Sequence, residues 1–152
     1  MAVVLKGKEV SDAKKARIRE KVEQLKSRGI NPTLSIVMVG SREDSVAYAQ
    51  GARKALAGCG IDCKITSYPE SITQEEFIEN IHRINNDSNI HGILIMRPLP
   101  DTIDWSRVEK AVRPEKDVDC VTTYNLGGVF QGKKGVFYPC TAQAVIDILD
   151  HY

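Results

Sequence analysis

The chain has 152 residues, enough for one compact domain, and its 42% hydrophobic and 27% charged residues are those of an ordinary globular protein, which excludes disorder. Its 21 Lys and Arg nearly cancel its 20 Asp and Glu, and no long basic run occurs, so nothing favours nucleic acid or an anionic membrane as partner. The longest apolar stretches, Leu34–Val39 and Gly92–Met96, are far too short to span a bilayer.

In chain order, the segment Met1–Gly7 has a short apolar run, Ala2–Leu5, followed by lysines; a signal peptide puts its charge first, so the expected compartment is the cytoplasm. Apolar residues at Ala13, Ala16, Ile18, Val22 and Leu25 predict a helix over Val10–Arg28, capped by Ser11 or Asp12 and ended by Gly29. Asn31-Pro32 breaks the chain, and the β-branched run Thr33–Val39 reads as a buried strand. Gly40–Asp44 is a turn, Ser45–Ala57 a helix, and Ile61–Tyr68 a second strand. Thr73 caps a third helix, Gln74–Asn85, with Glu76 at the capping-box position. Gly92–Met96 is a third buried strand, Pro98–Asp101 a turn, and Ser106–Val112 a short helix. Asp117–Phe137 is rich in Gly, Asn and Thr and reads as loop with short extended pieces; Thr141 caps a last helix, Ala142–Asp150.

Alternating strands and helices predict an α/β fold, a three-layer αβα sandwich on a mainly parallel sheet. Ligands on such sheets bind beyond the carboxyl ends of the strands, which points to Gly40–Tyr48, Tyr68–Ser71 and Met96–Pro100. No GxGxxG or Walker loop is present; Gly58-x-Gly60 follows a helix and fails the context test. The last helix runs to His151-Tyr152 without a capping glycine, so the chain is expected to continue into another domain.

Four cysteines occur: Cys59, Cys63, Cys120 and Cys140. In a cytosolic chain they are expected to be free thiols. Cys59-x3-Cys63 with His82 and His91 is not a standard zinc spacing, and no metal is expected.

Four strand-end phrases carry more than loop chemistry: Val39-Gly40 leading to Ser45 and Tyr48; Gly92-Ile93-Leu94-Ile95-Met96-Arg97-Pro98-Leu99-Pro100; Pro114-Glu115-Lys116-Asp117-Val118-Asp119; and Tyr138-Pro139-Cys140-Thr141. Together, in this order, they resemble the N-terminal folate-binding domain of the bifunctional methylenetetrahydrofolate dehydrogenase/methenyltetrahydrofolate cyclohydrolase family, from about Leu5 to Tyr152.

The resemblance implies a role in one-carbon folate metabolism, including purine biosynthesis. It implies a tetrahydrofolate derivative as substrate and NADP or NAD as cofactor, bound mainly by a second domain beyond Tyr152. The full-length protein is implied to be a homodimer, and the present chain alone to be inactive. Ser45 and Tyr48 match the family's cleft helix, where the tyrosine lies along the folate; a packing tyrosine is the alternative. Ile95, Met96, Arg97 and Pro98 match the second strand end, with Arg97 either on the folate's glutamate tail or in solvent. Asp117 and Asp119 match the family's DVD. Asp119 is implied to accept from the amino-pyrimidine side of the pterin; Asp117 is implied to bind substrate or to serve a turn.

The departures fall on the chemistry. The family lysine, four residues after the tyrosine and so on the same helix face, is Ala52 here. Its glutamine partner is Met96. Lys54 is turned about 200° from position 52, and Arg53 is too basic to serve as a base. Cys120 replaces a glycine, Ala142 a proline and Ala144 a glycine. No catalytic residue is therefore intact, and the cyclohydrolase step is expected to be impaired, with a non-catalytic folate- or pterin-binding paralogue as the alternative.

Overall fold

The computed structural model describes residues 4–152; the residues at 1–3, part of the apolar run at the N-terminus, lie outside the described residues. Ten elements follow in order: α1 (Gly7–Lys26), β1 (Thr33–Val39), α2 (Glu43–Ala57), β2 (Asp62–Tyr68), α3 (Gln74–Asn86), β3 (Gly92–Ile95), α4 (Trp105–Ala111), a 3-10 turn (Pro114–Lys116), α5 (Thr123–Phe130) and α6 (Cys140–His151).

The three strands form one parallel sheet in the order β2-β1-β3, with Ile36 level with Ile65 and Leu94. β1 is central and its residues from Ser35 to Val39 are buried, as both faces are covered. Side chains alternate across the pleat. Ile36 and Met38 pack with Ala49, Val46 and Ala52 of α2. Val37 and Val39 point the other way, into a cluster with Ile93, Ile95, Phe77 and Ile81 of α3, and Val108 of α4. Helices thus cover both faces, and the predicted αβα layering is observed.

The sheet strands and α3 stand close to their sequence-derived bounds. The capping box is formed: Thr73 Oγ1 accepts from the Glu76 N–H at 3.2 Å, and Glu76 Oε2 accepts from the Thr73 N–H at 3.0 Å. Buried Asn85 donates to the Ala111 carbonyl at 2.6 Å and accepts from the Arg113 N–H at 3.1 Å, fastening α3 to the end of α4.

Three expectations are corrected. α1 starts at Gly7, not Val10, with no side-chain cap; Asp12 instead pairs with Lys8 one turn back. α6 starts at Cys140 with Pro139 at its N-cap, so Thr141 lies inside the helix. Asp117–Phe137 is not all loop: Thr122 accepts from the Asn125 N–H at 3.3 Å and starts α5. Gly128 of α5 lies so close to Val136 that a Cβ there would stand 2.6 Å from Cγ1. The glycines that suggested a loop permit this close packing.

α6 lies against α1. Lys14 pairs with Asp147, and the Tyr152 hydroxyl accepts from the Lys6 N–H at 3.2 Å.

Candidate functional site

The carboxyl ends of β1 and β3 bring the sequence-derived residues to one end of the sheet. At the end of β1 the chain turns at Gly40, whose φ of 78° suits glycine. The Gly40 N–H donates to the Tyr68 carbonyl and the Ser67 hydroxyl donates to the Gly40 carbonyl, both at 2.8 Å. The two strand-end loops are thereby joined. α2 follows with Ser45 in its first turn and Tyr48 one turn on, 60% exposed and free to meet a ligand.

Ala52, the next residue on that face, is half-buried on the cluster of Ile36, Met38 and Ala49. Met96 packs on the same cluster. The backbone places it there: the Met96 N–H donates to the Val37 carbonyl at 2.8 Å, one step past the end of β3. Positions 52 and 96 thus both border one apolar cluster, and both carry apolar side chains. Lys54 and Arg53 are exposed.

Beyond Met96 an open cleft of about 400 Å³ is lined by Arg97, Trp105, Glu109, Asp119, Cys120, Val121, Leu126, Pro139, Cys140 and Thr141. Its size suits a small heterocycle. The Arg97 guanidinium lies over Trp105, 4.9 Å from the ring centroid. The Cys140 Sγ donates to the Val118 carbonyl at 3.4 Å, and burial together with the Asp119 carboxylate pushes its thiol pKa up. Burial also raises that of Cys120, with Asp117, Asp119 and Cys140 adding to it. Cys120 has a φ of 57°, the left-handed conformation that suits the glycine of the family pattern.

Two sequence-derived site residues are reassigned. Asp117 is fully buried, and its carboxylate accepts from the Val121 N–H, the Thr122 N–H and hydroxyl, and the Asn125 amide, at 2.7–2.9 Å. It organises the loop behind the cleft and presents nothing to it. Ile95 is 6% exposed and packs into the core with Val37 and Phe77. Pro98 is exposed, joined to Arg97 by a cis peptide, and with Ser45, Tyr48 and Met96 lies outside the cleft lining.

Sequence reasoning missed Trp105 and Glu109. Their only signal was position: the helix after the Pro98–Asp101 turn returns past the strand end. The described cysteines are all free thiols. Among the described residues no cluster of three or more His, Cys, Asp or Glu is arranged to hold a metal, and no helix is long and apolar enough to cross a membrane.

A parallel β-α-β domain with a polar cleft beyond its strand ends belongs to the class of α/β domains that bind small ligands at that edge. Residues 5–119 match the family described as tetrahydrofolate dehydrogenase/cyclohydrolase, catalytic domain, and the chain belongs to that family. It is 45% identical to the bifunctional protein FolD of Alkaliphilus oremlandii, over all of this chain and 53% of that protein. To the bifunctional protein FolD of Clostridioides difficile it is 42% identical, over 98% of this chain and 52% of that one. Among solved structures, the bifunctional FolD methylenetetrahydrofolate dehydrogenase/cyclohydrolase of Campylobacter jejuni superposes with a TM-score of 0.96 at 35% identity, over 99% of this chain and 53% of that one. The Trypanosoma brucei enzyme, solved with NADP and an inhibitor, gives 0.90 at 35% identity, over 98% and 51%. The chain thus spans about half the length of the relatives it matches.

Proposed function

We propose that the chain is the folate-binding part of an NAD(P)-dependent methylenetetrahydrofolate dehydrogenase/methenyltetrahydrofolate cyclohydrolase, in which the cyclohydrolase step is impaired. The observation that carries this reading is the convergence of Ala52 and Met96 on one apolar cluster at the ends of β1 and β3. The two positions where the family pattern has a lysine and a glutamine pack on the same cluster, and neither side chain can move a proton.

The two reactions differ in what they ask of this surface. Oxidation of the methylene bridge removes a hydride and leaves a methenyl cation; it needs alignment more than a base. A bound nicotinamide would supply the hydride acceptor. Tyr48 lies along the aminobenzoyl ring, Ser45 supports it, and Asp119 holds the pterin. Hydrolysis of the methenyl bridge adds water to the carbon, and a proton must leave that water as the C–O bond forms. With Ala52 in place of a lysine, nothing positioned takes that proton or tunes a group to do so, and removal of such a group costs ~100- to 10,000-fold.

The same reading takes the full-length protein to be a cytoplasmic homodimer in one-carbon metabolism serving purine biosynthesis; support for these points is the family relationship alone. A second reading, a non-catalytic folate- or pterin-binding protein, is favoured by the same paired loss.

The test is an assay of the full-length protein with methylenetetrahydrofolate and NADP or NAD, alongside hydrolysis of methenyltetrahydrofolate. Dehydrogenase turnover with slow hydrolysis is expected. Folate binding without dehydrogenase turnover moves the assignment to the second reading, and normal hydrolysis overturns the impairment.

A further inference from the structure

Arg97 and Asp119 line the same cleft. The ion pairs that arginines make among the described residues involve Arg42, Arg83, Arg107 and Arg113, not Arg97. Its guanidinium is instead held over the Trp105 ring, and Trp105 packs on the main core cluster. A guanidinium has five N–H donors, and a cation–π contact with a ring leaves donors available to a ligand.

Asp119 is partly buried in the same lining, between Cys120 and the Cys140 thiol. The cleft therefore offers a two-oxygen acceptor and a planar donor to one small occupant. A 4-oxopteridine presents the complement along one ring edge: the 2-amino group and N3–H as donors, then the 4-oxo oxygen as acceptor. A flexible tail carboxylate has no use for Asp119 and would be repelled by it.

We propose that Arg97 is a specificity-determining residue that donates to the 4-oxo group of the bound pterin while Asp119 accepts from the 2-amino group and N3–H. This deepens the folate reading and rests on it. The sequence left Arg97 between a glutamate tail and solvent; sharing a cleft with Asp119 assigns it to the ring. A 2,4-diaminopteridine puts an amino donor where the oxo acceptor stood, and Arg97 then faces a group with no lone pair to offer in that direction.

The experiment compares three probes on the full-length protein and its Arg97→Leu and Arg97→Lys variants by fluorescence titration: folate, pteroate, which lacks the glutamate tail, and the 2,4-diamino analogue of pteroate. The unmodified protein is expected to prefer pteroate over its diamino analogue. Arg97→Leu is expected to weaken folate and pteroate alike by roughly 10- to 100-fold, with the diamino compound unchanged or tighter. Arg97→Lys should fall between, keeping the charge and losing the platform geometry. Loss confined to folate would assign Arg97 to the tail and overturn the proposal. Equal loss on all three probes, or none on any, overturns it too. Absence of binding by any probe to the unmodified protein overturns the folate reading itself, and the inference with it.

Discussion

Asp117 Oδ2 accepts both the backbone N–H and the hydroxyl of Thr122, at 2.9 and 2.7 Å, inside a fully buried site. Asn125 adds its amide to the same oxygen at 2.9 Å, and Val121 occupies the other oxygen. One carboxylate thus sets the loop that carries Asp119 and starts α5. Asp117→Ala leaves several buried donors unpaired and should cost about 2–4 kcal/mol. Urea unfolding measures it. Thr122→Ala removes one donor and one cap and should cost less, about 1 kcal/mol.

Ala52→Lys with Met96→Gln should raise hydrolysis of methenyltetrahydrofolate in the full-length protein, by as much as the ~100-fold that a positioned proton-transfer group contributes. Because positions 52 and 96 pack on one cluster, the pair should exceed the sum of the single changes. Ala52→Lys alone sets a cationic side chain at the border of an apolar cluster without the glutamine, so a lower Tm is expected from the single variant than from the double.

Gly92 sits where a Cβ would be 2.6 Å from Val118 Cγ1 and 3.1 Å from Leu34. Gly92→Ala should destabilise by about 1–3 kcal/mol through overpacking. Val118→Ala in the same chain should recover part of that loss, read from the melting temperatures of the two single variants and the double. A double variant no better than Gly92→Ala would show that Leu34, on the sheet itself, sets the limit.

The Cys140 thiol stands at the surface of the cleft, and partial burial and Asp119 raise its pKa. A raised thiol pKa means that the folded state holds its proton more tightly than the unfolded state. The stabilisation is fully present below the unfolded pKa and is lost as pH rises through the folded value. At about pH 8.5, where an ordinary thiol is half ionised, Cys140 should react with iodoacetamide more slowly than a model peptide thiol. Asp119→Asn should speed that reaction, with peptide mass spectrometry reporting the site. An unchanged rate in Asp119→Asn would leave burial and the more distant Asp117 as the causes.

Cys120 combines a buried side chain with a left-handed backbone. Cys120→Val puts a β-branched side chain in that conformation and should cost about 1–2 kcal/mol more than Cys120→Ala, measured by chemical denaturation.

The strands were legible because their signal is local. Thr33–Val39 is a β-branched and apolar run, broken only by Ser35, between Asn31-Pro32 and Gly40, and β1 has those bounds. Thr73 and Glu76 announced a capping box that needs only three residues of spacing. α5 was hidden because Gly127 and Gly128 disfavour a helix in isolation; the Thr122 cap and the packing against Val136 settle it, and these depend on Asp117 and on distant chain. The site shows the same division. Asp117 and Asp119 are identical in the sequence pattern, and burial alone gives one to the loop and the other to the cleft. Arg97 and Trp105 meet only because the turn between them folds back.

The sheet has just two outer edges, β2 and β3. Beside β3 the chain at Asp117 runs parallel and forms one bridge to Ile93, which covers part of that edge. β2 carries exposed Asp62 and Lys64 along its length. An unpaired strand of four apolar residues would be a template for self-association in a crowded solution. The segment that positions the candidate ligand carboxylate is thus also a guard against aggregation, and variants that loosen it should lose solubility along with affinity.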